Sequence, residues 1–363
     1  MNPYSTEKLA AHPSVIQSLR ATGDGKLITV HLMPQNVCNQ SCSFCSYRMP
    51  NNKNSEVFDK GKYLPLDTLA GLCQDFAEMR VQGIELTGGG EPLAYPEINE
   101  LLGLLWSHGF AVGLVTNGTL YHRIDDIGKT LGRCLRWARV SVDAATPSTY
   151  SKMRQTPRSL FDKAWATVRD LSNRRHEFNP EFKLGVGFVL CNENMGEVHS
   201  FVRMAKDSGA DNVRLSLVYS DQGLGFFDDR EALMNEVNES EAADQDFTDD
   251  SFTVHNLIPS RYQENLHPTQ DYRRCPTKDV LCVVEGEGKV YTCCTYTGST
   301  EGLYGNFLEH EGGFRGLWDA NAERRRNWDS RKECPVACLY RDRNLAMNKL
   351  IDDPQTVVHK EFI

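Results

Sequence analysis

Residues 27 to 50 read Leu27-Ile-Thr-Val-His-Leu-Met-Pro34-Gln-Asn-Val-Cys38-Asn-Gln-Ser-Cys42-Ser-Phe-Cys45-Ser-Tyr-Arg-Met-Pro50. The first six residues form an apolar run rich in β-branched side chains, the mark of a buried strand. Directly after it come three thiols in a C-x3-C-x2-C array, set among Pro34, Asn36, Asn39, Gln40, Ser41, Ser43 and Ser46. These residues favour turns over helix, so the array reads as a loop at the strand's C-terminal end. Thiolates are soft ligands suited to iron–sulfur clusters or zinc, and a cubane of four irons normally takes four cysteines. Three would leave one iron open to a substrate or cofactor. Zinc, with His31 as a fourth ligand, is a rival reading, although a histidine inside an apolar run is more often part of the core. Offsets of four and seven would also line one helix face as buried core thiols, against which the polar neighbours weigh.

Working outward, short β-branched runs alternate with longer amphipathic stretches, as in βα units on a parallel sheet. Strands are expected at Leu27 to Leu32, Gly83 to Thr87, Ala111 to Thr116, Ala138 to Asp143, Leu184 to Leu190 and Asn212 to Val218. Helices are expected at Pro65 to Val81, Pro96 to His108, Ser159 to His176 and Gly196 to Ser208, the first with apolar spacing at Leu69, Leu72, Phe76 and Met79. Six units make a partial barrel or an open α/β sheet. The second strand ends in Thr87-Gly88-Gly89-Gly90-Glu91-Pro92, a tight turn or close backbone approach. It is not a dinucleotide fingerprint, since Leu93 stands where the third glycine belongs. Thr116-Asn117-Gly118 reads as a turn.

Composition narrows the class further. The 363 residues carry a net charge of −9, and no basic run exceeds Arg324-Arg325-Arg326, so a tight electrostatic grip on duplex nucleic acid is not indicated. The start has no basic region followed by an apolar stretch, and no run is long enough for a membrane span. The twelve cysteines therefore read as metal ligands or reduced thiols in a cytoplasmic protein. Residues 1–26 are expected to be a lead-in too short for an accessory domain, and residues 221–272, rich in Asp and Glu, an acidic linker or lid.

Six cysteines follow: Cys275, Cys282, Cys293, Cys294, Cys334 and Cys338. Val280 to Val284 and Lys289 to Cys293 read as a hairpin presenting ligands at its ends, with Cys334-x3-Cys338 as a second pair. Together they suggest a four-cysteine zinc ribbon or a fully ligated cluster. Cys282 falls mid-strand, where packing is the simpler role. Cys73, Cys134 and Cys191 stand alone among apolar neighbours and read as structural thiols.

Cys38-x3-Cys42-x-Phe44-Cys45, with an aromatic residue before the last cysteine, resembles the signature of the radical S-adenosylmethionine (SAM) superfamily. In that family the open iron of a [4Fe-4S] cluster chelates SAM, and reductive cleavage yields a 5′-deoxyadenosyl radical. The resemblance selects an α/β fold, a partial (βα)6 TIM-like barrel over residues 27–220. It implies that Gly89, Gly90 and Glu91 form the motif that meets the SAM amino group, and that Ser141, Asp143 and Arg154 lie near its ribose and carboxylate. For Arg154, a solvated helix face is the competing reading.

The pattern Cys275-x12-Gly288-x4-Cys293, with Gly305-Asn306, Trp318 and Cys334-x3-Cys338, resembles the SPASM/twitch extension. It implies a smaller cysteine-rich α+β extension over residues 273–342, followed by a tail at 343–363. It further implies an auxiliary [4Fe-4S] cluster on Cys275, Cys293, Cys334 and Cys338, with Cys294 as an alternative to Cys293. An external low-potential donor of flavodoxin or ferredoxin type would supply electrons. The substrate is expected to be a small molecule such as a sugar, aminocyclitol or nucleoside, oxidised or isomerised. A modified nucleotide or DNA base, a peptide, and a zinc-stabilised binding module without catalysis are the alternatives.

Overall fold

Ten strands form one sheet in the order β10-β9-β8-β1-β2-β3-β4-β5-β6-β7. They are β1 Thr29–Leu32, β2 Gly83–Leu86, β3 Ala111–Thr116, β4 Leu135–Ser141, β5 Lys183–Leu190, β6 Asn212–Leu217, β7 Thr253–Asn256, β8 Leu281–Val284, β9 Lys289–Tyr291 and β10 Leu303–Asn306. The computed structural model describes residues 6, 8–50, 52–268, 270–334 and 338–352. Pairing is parallel from β8 through β1 to β7, and antiparallel from β8 to β9 and β9 to β10. β5 and β8 are buried along nearly their whole length, as strands covered on both faces should be. The sheet curls around a central cavity reached by His31 of β1, Glu85 of β2, Trp137 of β4, Gly185 of β5 and Arg214 of β6. β7 and β10 end the order without pairing each other, so the fold is a partial TIM-like barrel, open on one side.

The outer helices bury the faces that their spacing marks. In Leu66–Glu78 the buried residues are Leu69, Leu72, Cys73 and Phe76; in Val198–Asp207 they are Val198, Phe201, Val202 and Ala205. Cys73, Cys134, Cys191 and Cys282 are all buried in the main core.

Three expectations change. The acidic stretch, read as a solvated helix plus loop serving as linker or lid, holds the helix Arg230–Phe247 but continues into β7 and the helix Ile258–Leu266. Leu233, Val237, Ser240 and Ala243 recur on one buried face, so this helix packs while its acids point outward. Asp229 caps it through the Glu231 and Ala232 amides, and buried Glu236 accepts from the Gly196 amide.

The cysteine-rich extension is not a detached unit either. β8 lies beside β1 in register, Val30 opposite Cys282, and Phe314 meets Phe76 edge-on at 5.0 Å inside the barrel's own core. A boundary at residue 343 would split the helix Arg341–Asp352. Its Met347 and Ile351 join Val15, Leu19 and Val280 in a second core, and Arg20 donates to the Leu350 and Ile351 carbonyls. The last eleven residues of the expected tail lie outside the described residues.

Candidate active site

The cysteine loop leaves β1 and is tied down on every side by its polar residues. Gln35 donates to the Glu91 carbonyl at 2.7 Å, and the Glu91 amide donates back to the Val37 carbonyl at 2.9 Å. A Cβ on Gly90 would stand 2.2 Å from the Val37 oxygen, so the triple glycine serves close packing of two loops. Asn39 donates to Thr119 and accepts from Asn117, both at 2.9 Å. The Ser41 and Ser43 amides donate to the Arg154 and Met153 carbonyls at the end of the helix Pro147–Arg154. Cys38, Cys42 and Cys45 are half-buried on this frame, with Cys42 within electrostatic reach of the other two. Burial pushes the Cys38 thiol up to about 11.

Arg154 is not on a solvated face. It is buried, with one terminal nitrogen on Gln40 Oε1 at 3.0 Å and Cys42 Sγ at 3.6 Å, and the other on the Ser141 carbonyl and the Asp143 carboxylate. Asp143 has a left-handed backbone at φ 63°, and its second oxygen accepts from the Val189 amide at 2.7 Å. Burial raises the Asp143 carboxyl above its ordinary range, and Arg154 opposes that rise. Ser141 is half-buried at the end of β4. The pair thus clamps the cysteine loop to β4 and β5.

The Glu91 carboxylate joins neighbouring loops. Both oxygens are turned into the protein: one accepts from the Thr116 hydroxyl at 2.5 Å and the Leu93 amide at 3.0 Å, the other from the Asn117 amide at 2.7 Å. Burial raises this carboxyl and the three donors oppose it. It braces the ends of β2 and β3. Thr116-Asn117, read from the sequence only as a turn, is its partner.

The second cysteine set converges. Cys275, Cys293, Cys334 and Cys338 line one cavity, walled by Tyr272, Tyr296, Trp328 and Tyr340. Burial pushes Cys275 up to about 12, Cys334 up to about 11, and Cys293 well above its usual value. Four thiols, Cys338 buried and the others half-buried, that repel one another as thiolates fit a cationic cluster, which would invert that penalty. Tyr272 donates to Cys338 Sγ at 3.3 Å, and Asn344 accepts from Cys275 Sγ at 3.6 Å. Cys294 does not line this cavity. Its sulfur borders the barrel interior, 3.2 Å from the Tyr340 hydroxyl.

Among the described residues no three metal-binding side chains converge on a single ion. His31 faces the barrel interior with its Nε2 3.5 Å from Glu85, away from the role of fourth zinc ligand.

Residues 32–205 match the family described as the radical SAM superfamily. Those residues place that part of the chain in the superfamily, whose chemistry uses a [4Fe-4S] cluster and SAM. A probable GTP 3′,8-cyclase from Pyrobaculum aerophilum is 27% identical over 193 residues, 53% of this chain and 58% of that protein. Mycofactocin maturase MftC from Mycobacterium tuberculosis is 26% identical over 295 residues, 77% of this chain and 67% of the maturase. In fold, the SAM-bound crystal structure of Streptococcus suis SuiB is similar at a TM-score of 0.60 and 14% identity, over 89% of this chain and 72% of SuiB. The chain thus spans little more than half of the cyclase. No described helix is long and apolar enough to cross a membrane.

The sequence reading missed the anchors of the site: Gln40, Asn117, Tyr47, Tyr340 and Arg261. Arg261 donates to the Cys338 and Leu339 carbonyls, the latter at 2.6 Å, and holds the segment that closes the barrel's open side. None sits in a spacing pattern that marks it.

Proposed function

We propose that this radical SAM enzyme abstracts a hydrogen atom from a small-molecule substrate held in the barrel interior, between two clusters. Cys38, Cys42 and Cys45 would hold the SAM-binding cluster, and Cys275, Cys293, Cys334 and Cys338 the auxiliary one. When bound, the cluster and SAM supply a 5′-deoxyadenosyl radical, with an electron from a flavodoxin- or ferredoxin-type donor. The observation that carries this reading is the position of the interior cavity. Tyr47, two residues beyond Cys45, lines it, and so does Tyr340, which also lines the four-cysteine cavity.

Within this arrangement the chain's own residues orient and exclude water. Gly89, Gly90 and Glu91 fix the strand end against the cysteine loop, which leaves their backbone as the group that would face SAM. Ser141 and the Asp143–Arg154 pair hold the opposite rim. Leu339 and Tyr340 close the open side under Arg261, keeping the interior dry enough to protect a carbon radical. We place the protein in the cytoplasm. A peptide substrate is the second reading, supported by the likeness to mycofactocin maturase over 77% of the chain.

The test is iron and sulfide analysis of the anaerobically reconstituted chain, then SAM cleavage with dithionite, then deuterium transfer into 5′-deoxyadenosine from labelled candidates. About eight irons, cleavage and transfer are expected. Reconstituted protein that binds no iron, or leaves SAM intact, defeats the proposal.

A further inference from the structure

Consecutive residues of the turn Cys294–Tyr296 serve different cavities. Cys293 and Thr295 line the four-cysteine cavity, whereas Cys294 between them lines the barrel interior. The turn is held firmly. The buried Asn54 side-chain amide donates to the Thr295 carbonyl at 3.0 Å and to the Thr297 carbonyl at 2.6 Å, and the Tyr296 amide donates to the Cys293 carbonyl at 3.2 Å. The direction of the Thr295 side chain is therefore set by backbone contacts that do not involve its hydroxyl.

Other polar groups around that cavity are already engaged. Tyr272 donates to Cys338 Sγ, the Asn344 side-chain amide donates to Tyr272 at 3.1 Å, Tyr296 donates to the Glu333 carbonyl at 2.5 Å, and Lys278 pairs with Asp279 at 3.0 Å. The Thr295 hydroxyl is the exception. The residue is 4% exposed, and its Oγ1 meets no hydrogen-bond partner among the described residues. Buried hydroxyls nearly always find an acceptor. Thr292, on the same wall, turns its hydroxyl toward Cys293 Sγ at 3.9 Å, so sulfur is the acceptor that this cavity offers.

We propose that the Thr295 hydroxyl donates to a sulfur of the iron–sulfur cluster held by Cys275, Cys293, Cys334 and Cys338, and raises the reduction potential of that cluster. The inference rests on the reading of those four cysteines as a cluster site. One-electron reduction adds negative charge that the sulfurs share, so a donor aimed at them stabilises the reduced form more than the oxidised one. The aromatic walls Tyr296 and Trp328 keep the surroundings poorly polarisable, which strengthens such a bond. Thr295 thus sets the potential without being a ligand, and removing its hydroxyl changes the redox couple while leaving the iron count alone.

Redox titration followed by electron paramagnetic resonance tests this, on the anaerobically reconstituted full chain carrying Cys45→Ala so that the auxiliary cluster is read by itself. Adding Thr295→Val should lower the ratio of reduced to oxidised cluster at a fixed potential about tenfold, ~59 mV for a one-electron couple, with about four irons retained. Thr295→Ser keeps the hydroxyl and should titrate with the parent. Where Thr295→Val takes up no iron, Thr295→Ala carries the same expectation. Coincident titrations of the parent and the variant without a hydroxyl, or Thr295→Ser shifted as far as Thr295→Val, would overturn the proposal and leave the cluster standing. A Cys45→Ala parent that binds no iron, or holds zinc in its place, would defeat the cluster reading and the proposal with it.

Discussion

Glu285 offers a perturbation whose sign and size both follow from the structure. It sits at the end of β8, fully buried, where the Asn36 side-chain amide donates to it at 2.6 Å. Asn36 in turn lies two residues before Cys38, so this contact joins the extension to the cysteine loop. Burial pushes the Glu285 carboxyl up to about 7 from an ordinary 4.5, with Asn36 opposing. Between those values the folded chain keeps a proton that the unfolded chain has released. Stability is therefore full below about pH 4.5 and falls as pH rises through 7. A shift of this size is worth on the order of 3 kcal/mol, of which about 2 kcal/mol falls between pH 5.5 and 8.5. Glu285→Gln keeps an acceptor for Asn36 and cannot ionise, so it should gain about 2 kcal/mol on the wild type across that interval. Urea unfolding of both proteins, reconstituted and anaerobic, at pH 5.5, 7.0 and 8.5 measures the difference. Parallel pH dependences for the two proteins would refute the reasoning.

Other outcomes follow from the same contacts. Arg154→Met strands the buried Asp143 carboxylate and should cost about 3–5 kcal/mol by denaturant unfolding; Asp143→Asn in the same chain should recover part of it, which strict additivity in the double-mutant cycle would contradict. Gly90→Ala drives a methyl group against the Val37 carbonyl and should lower stability by about 1–3 kcal/mol, read by thermal melting, together with a loss of iron from the cysteine loop. Cys45→Ala should abolish SAM cleavage and Cys334→Ala spare it while impairing turnover, each with about four irons lost; identical cleavage by both variants would sink the division of labour. Cys294→Ala should leave iron content unchanged, since its sulfur lies outside the four-cysteine cavity.

What could be read from sequence was what repeats locally. The β-branched runs and the 3.6-residue spacing of Leu69, Leu72 and Phe76 needed only neighbours along the chain, and the observed elements follow them within a few residues. The close spacing of Cys38, Cys42 and Cys45 was legible along the chain, and the resemblance to the SPASM/twitch extension picked out the four cysteines that line the C-terminal cavity. Buried polar anchors leave no such mark. Arg154 sits in a short helix whose polar look suited solvent equally well, and only its approach to Asp143 and Gln40 gave it a role. The acids of 228–250 suited a solvated helix but hid its packing, because surface charge dominated composition while the narrow buried face rested on Leu233, Val237 and Ala243.

The placement of β8 against β1 was decided by tertiary structure alone. The two strands lie about 250 residues apart, and the hydrogen bonds that join them belong to the backbone, which carries no side-chain code. That pairing brings Asn36 to Glu285 and puts Cys294 and Tyr340 at the barrel wall. Local spacing determined which chemistry the chain could hold; long-range packing decided which residues share one cavity.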